Sequence, residues 1–121
     1  MKVVTAANAM IANPKLITGV TPGRQGSEIY FLYDGKYKWS VNKFGDDVNL
    51  FFYPGPHELG QLASWDEDDW HDFNEFVRYS SKELGTKEAL ATFSELYRVV
   101  QERRYDIDDV LQDIIGKAGW A

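Results

Sequence analysis

The sequence predicts an α+β protein: a three- to four-stranded antiparallel β-meander packed on one face by three C-terminal helices. Three observations predict it. Residues 15–53 hold short runs rich in Tyr, Phe, Val and Ile, separated by turns that contain Gly, Pro and Asp. After residue 64, apolar residues recur at helical spacing. Strands first and helices afterwards place the helices together on one sheet face. A length of 121 residues fits one domain over residues 1–121. A chain of this size buries roughly two thirds of its unfolded surface, enough for a core without cross-links.

The elements follow in order. Thr5 to Asn13 reads as a short helix stopped by Asn13-Pro14. Lys15 to Val20 reads as a strand, and Thr21 to Gly26 as a loop. Glu28–Tyr33 and Lys36–Asn42 flank Asp34-Gly35, a pair suited to a two-residue hairpin turn because both positions need positive φ. Val48–Tyr53 follows a turn at Gly45-Asp46, and Pro54-Gly55-Pro56 ends it. These turns set a register: Leu32 opposite Tyr37, Tyr30 opposite Trp39, Val41 opposite Leu50 and Trp39 opposite Phe52. The core face then holds Tyr30, Leu32, Tyr37, Trp39, Val41, Val48, Leu50 and Phe52.

Ser64 and Glu67 match a capping box, and Trp70, Phe73, Phe76, Val77 and Leu84 continue as one helix. Gly85 stops it and Thr86 caps the next, whose buried face is Leu90, Phe93, Leu96, Tyr97 and Val100. Asp106 caps a third helix, with Tyr105 and Val110 as a hydrophobic staple. Its apolar stripe is Ile107, Val110, Leu111, Ile114 and Ile115, and Gly116 closes it.

Charge is segregated. The nine carboxylates between Phe44 and Val77 (Asp46, Asp47, Glu58, Asp66, Glu67, Asp68, Asp69, Asp72 and Glu75) meet no Lys or Arg, and they dominate a net charge of −6. The helix dipole favours Asp66–Asp69 in a first turn, and turn geometry favours Asp46 and Asp47. Asp72 and Glu75 are left for solvent or a partner. The absence of cysteine excludes disulfides and thiolate metal sites and fits a cytoplasmic protein. Lys2 followed by Val3–Ala12 imitates a signal peptide, but Thr5 and Asn8 interrupt the apolar run, so an intracellular protein is expected. No run reaches the length of a membrane span.

The usual catalytic signatures are missing: no G-x-S-x-G elbow, no Walker loop and no G-x-G-x-x-G. Gly23, Arg24 and Gly26 make a loop too short to count as an anion site. Glu67 and Asp68 share a helix face with His71, a carboxylate–His spacing known from bundle metal sites, but only one such motif exists. The remaining histidine, His57, stands beside Glu58 in a loop. No catalytic residue, metal ligand or cofactor is assigned. A small carboxylate/His metal-dependent hydrolase or nuclease is the runner-up.

Two binding surfaces compete. Phe31, Tyr33, Phe51 and Tyr53 beside Lys36 and Lys38 would make an aromatic, basic sheet face for single-stranded nucleic acid. The net negative charge opposes phosphate binding, so nucleic acid is disfavoured. Cover by the N-terminal helix, or by a second protomer in a homodimer, is the simpler account of that face. The alternative surface is the acidic one: Trp65, Asp66, Asp68, Asp69, Asp72 and Glu75, an aromatic rimmed by carboxylates and suited to a basic protein partner. The expected function is non-catalytic, that of a small acidic inhibitor, immunity protein or phage-type regulator.

Overall fold

Each strand of the sheet pairs with the next one in the chain. The computed structural model describes all residues except Gln25, Trp120 and Ala121. Its elements are α1 (Lys2–Ala12), a 3-10 turn (Pro14–Leu16), β1 (Ile17–Pro22), β2 (Ile29–Tyr33), β3 (Tyr37–Phe44) and β4 (Asp47–Phe52). Then come α2 (Leu59–Ser64), α3 (Glu67–Trp70), β5 (Val77–Ser80), α4 (Ser81–Leu84), α5 (Lys87–Arg104) and α6 (Ile107–Lys117). The five strands form one antiparallel sheet in the order β1-β2-β3-β4-β5. This is an α+β fold, with one strand more than the meander expected from sequence. No helix among the described residues is long and apolar enough to cross a membrane.

The hairpin registers differ in outcome. At Gly45-Asp46 the turn closes as expected, with Val41 opposite Leu50 and Trp39 opposite Phe52. At Asp34-Gly35 the turn also forms: both residues have positive φ, and Lys36 N–H donates to the Tyr33 carbonyl at 3.3 Å. The ladder, however, resumes at Tyr37 opposite Tyr33, leaving Lys36 as an extra residue. Tyr30 therefore meets Ser40 and Phe31 meets Trp39. A one-residue slip turns every side chain of β2 to the other face. The expected pairs Tyr30–Trp39 and Leu32–Tyr37 are overturned. The physical reason is burial: the observed register puts Ile29 and Phe31 beside Trp39 and Val41 on one face, where Ile29, Phe31 and Val41 lose essentially all exposure.

That face is covered by α1 and α5. Val3, Val4, Ala7 and Met10 from α1, and Ala89, Phe93, Leu96, Val99 and Val100 from α5, pack on Ile17, Phe31, Val48 and Leu50. The N-terminal helix thus lies on this first face, not on the second. Thr86 caps α5 as expected, accepting from Ala89 N–H at 3.0 Å, after Gly85 in the left-handed conformation. Leu90, assigned to the buried stripe, is exposed.

Two helix expectations fail. No long helix starts at Ser64. The capping box is built by Asp66 and Asp69 instead, around the single turn of α3. Beyond it, Val77–Ser80 pairs with the open edge of β4, Val77 opposite Phe52 and Tyr79 opposite Leu50. An unpaired edge offers a row of free backbone groups, and pairing them outweighs the local preference for helix. The third helix forms as α6, but it does not cover the sheet. It meets α5, and Val110, Leu111, Ile114 and Ile115 are all exposed. Asp106 stands at the N-cap position of α6 as expected, but with φ of 50° and no side-chain cap bond, and the expected staple residues Tyr105 and Val110 are both exposed.

Candidate binding pocket

The 24 residues between β4 and β5, 53–76, fold back over the second sheet face. Lys38 fastens them: its ammonium donates to the Gly55 carbonyl and, at 2.5 Å, to the His57 carbonyl. Leu59, Leu62 and Ala63 then bury against Tyr30 and Tyr53, with Leu32 and Phe51 beside them. The cover does not close the face completely. A cavity of about 300 Å³ remains, walled by Tyr30, Phe51 and Tyr53 from the sheet side and by Trp65, Trp70, Phe73 and Phe76 from the cover. Gly23, Arg24 and Glu28 complete the lining.

The walls brace one another. Trp65 and Trp70 meet edge to face at 4.8 Å, Trp65 and Phe73 at 5.0 Å, and Trp70 stacks parallel to Tyr30 at 6.3 Å. Offset and edge-on pairs of this kind each add about 0.5–1.5 kcal/mol beyond area burial. Gly23 is required by close approach. Its N–H donates to the Glu28 carbonyl at 2.8 Å, and a Cβ there would stand 2.9 Å from Tyr30 Cε1.

A polar network lies beside this aromatic wall. Glu28 accepts from the Ser40 hydroxyl at 2.5 Å and from Asn42 Nδ2 at 3.4 Å. Ser40 also shares a 2.7 Å bond with the Tyr53 hydroxyl, and Asn49 Nδ2 donates to Asn42 Oδ1 at 3.0 Å. Burial raises the Glu28 carboxyl above its ordinary value, against the Ser40 and Asn42 bonds, which favour the anion. Burial, with the neighbouring Glu28 charge, also raises the Tyr30 and Tyr53 phenols, so both are neutral near pH 7. Among the described residues no Lys, Arg or His lies within ion-pairing distance of Glu28.

The acidic residues expected to bind a partner sit on the same segment. Trp65 is half-buried in the pocket wall, whereas Asp66, Asp68, Asp69, Asp72 and Glu75 are exposed, as is Glu67. Residues 65, 70, 73 and 76 line the pocket, and the carboxylates between them are exposed, with Glu75 close to Gly55. Asp66 and Asp69 are partly committed to the capping box of α3.

The alternative sheet-face platform does not exist. The slip of β2 puts Phe31 and Tyr33 on the first face, under α1 and α5. Phe51 and Tyr53 are on the second face and line the pocket. Lys36 is the extra residue of the turn, and Lys38 is spent on the Gly55 and His57 carbonyls. The two histidines are separate. His57 lies edge-on to Trp65 and Phe73, while His71 is exposed with Asp72, 4.0 Å away, as its acidic neighbour. Among the described residues no three His, Asp or Glu side chains come together as a metal-binding group.

Sequence reasoning missed Glu28, Tyr30, Ser40, Asn42 and Asn49. Their signal was present in the alternation Trp39-Ser40-Val41-Asn42, where short polar residues interrupt an apolar strand every second position. No protein-family model, curated protein or solved structure matches the chain.

Proposed function

We propose that this is a non-catalytic binding protein that docks a basic protein partner through the acidic outer surface of residues 65–75. The observation that carries this reading is uncompensated charge. The ion pairs among the described residues that use Lys or Arg join Arg78 to Glu83, Arg98 to Glu95 and Glu102, and Lys117 to Asp113. None of them touches Asp66, Glu67, Asp68, Asp69, Asp72 or Glu75. In helix α5, Arg98 pairs with both Glu95 and Glu102 within one turn; among the described residues the acids of the cover segment have no Lys or Arg partner. A cluster of like charges at the surface raises the encounter rate with an oppositely charged partner. The aromatic wall behind it supplies the apolar contact that holds a complex together.

The reading extends to an inhibitor, an immunity protein or a phage-type regulator, all of which act by occupying a partner. Asp68→Lys, Asp69→Lys and Asp72→Lys together are expected to slow association several-fold at low salt while leaving the far-UV spectrum unchanged. The partner is first captured with the wild-type protein, and its association rate with each form is then followed by stopped flow. Equal rates at low ionic strength would sink the proposal.

A further inference from the structure

We propose that the pocket is the receptor for an arginine side chain of the basic partner, with the Glu28 carboxylate as its counter-charge and Trp65, Trp70, Phe73 and Phe76 as its stacking walls. This deepens the docking reading above and rests on it for the identity of the partner, not for the chemistry of the pocket.

Four observations converge. First, Glu28 is a carboxylate among aromatic rings with no Lys, Arg or His within ion-pairing distance among the described residues. Its two protein partners, Ser40 and Asn42, leave lone pairs on both oxygens free. An acid in an apolar pocket is costly unless something pairs with it. Second, the walls are ring faces and edges. A guanidinium is planar, weakly hydrated and stacks on such faces, whereas an ammonium holds its water more tightly. Third, a volume of about 300 Å³ is at the small end for ligand pockets and suits one side chain better than a folded element. Fourth, the exposed Asp68, Asp69 and Asp72 lie on the same segment as the wall residues Trp65, Trp70, Phe73 and Phe76 and favour a cation over an anion.

Arg24 does not already fill the role. Its guanidinium donates to the Ser64 carbonyl at 3.3 Å and its backbone N–H to the Ala63 carbonyl at 3.1 Å, which holds it at the rim. Its charge opposes a second cation there, so Arg24→Ala is expected to tighten binding of the incoming arginine.

Two tryptophans in the wall supply the readout. The wild-type protein is titrated with millimolar acetyl-Gly-Arg-Gly-amide, and with the lysine and citrulline analogues, while tryptophan emission is recorded. Salt at about 0.5 M shortens screening to roughly 4 Å and removes the influence of the outer acids. The arginine peptide is expected to give a saturable change, with citrulline, which has the shape but not the charge, about tenfold weaker or worse. Glu28→Gln is expected to weaken the arginine peptide by a similar factor, and Phe76→Ala to weaken it several-fold. The Asp68→Lys, Asp69→Lys, Asp72→Lys protein is expected to bind the peptide within about twofold of wild type at this salt. No saturable change, or citrulline binding as well as arginine, overturns the proposal. If the peptide binds but charge reversal leaves partner association unchanged, the outer-surface reading fails and the pocket assignment stands. If charge reversal slows the partner but the peptide does not bind, the reverse holds.

Discussion

Glu28 is a carboxylate held in a partly buried, largely aromatic environment. Burial raises its pKa from 4.5, so the folded chain binds that proton more readily than the unfolded chain does. The sign follows from linkage. Its contribution favours folding at low pH and is lost as pH rises from the ordinary carboxylate value through the raised folded one. At pH 7 the ionised group therefore costs stability. Glu28→Gln is expected to raise the melting temperature at pH 7, with the gain shrinking to nothing as the pH falls below the ordinary carboxylate range. Calorimetry of the two proteins across pH 4–8 checks this. A destabilised variant at pH 7 would mean that the anion is held by more than Ser40 and Asn42. Neither the burial nor the network was legible from sequence, because Glu28 stands at a strand start, where exposure is the default.

The turns and caps show where local chemistry decides and where it does not. Thr86 and Gly85 act as their residue types require, since a cap needs only its own few neighbours. The Asp34-Gly35 turn was legible too, but the extra residue after it was not. That residue is set by how Phe31 buries beneath α5, some 60 positions away, and no turn rule carries this information. β5 escaped for the same reason: Val77–Ser80 becomes a strand only because β4 offers an edge. Asp47 links these elements. It accepts from both the Ser80 and Ser81 hydroxyls and from Lys82 N–H, at 2.9–3.0 Å, and so fixes the junction of β5 and α4 to the start of β4. Asp47→Ala is expected to cost about 1–2 kcal/mol in urea unfolding, the range for a lost cap with its companion bonds. A change near zero would show the junction is held by backbone pairing alone.

At the scale of the whole molecule, the sheet has one face devoted to stability and one to a cavity. The first is packed by α1 and α5, with Phe93 and Phe31 fully buried against each other's layer. Phe93→Ala is expected to cost about 3–5 kcal/mol, as large-to-small changes in a tight core do. Ile114→Asp on the exposed stripe of α6 is expected to stay within about 0.5 kcal/mol, because that side chain leaves little contact to lose. Denaturant melts of both variants separate the load-carrying helix from the peripheral one. A large loss at Ile114 would mean that α6 is packed in solution. The second face carries the pocket, and its cover segment carries the acids. The α+β class and the acidic segment were legible in the sequence. The pocket was not, because it forms only when residues 53–76 fold back as a loop and two short helices, whereas the spacing from Ser64 to Leu84 predicts one continuous helix.

The most direct measurement is the association rate of the captured partner across ionic strength, for the wild-type protein and for the Asp68→Lys, Asp69→Lys, Asp72→Lys variant. Docking through the outer acids predicts a rate several-fold lower for the variant at low salt, with the two curves converging as salt rises. Superimposable curves at every ionic strength would contradict it.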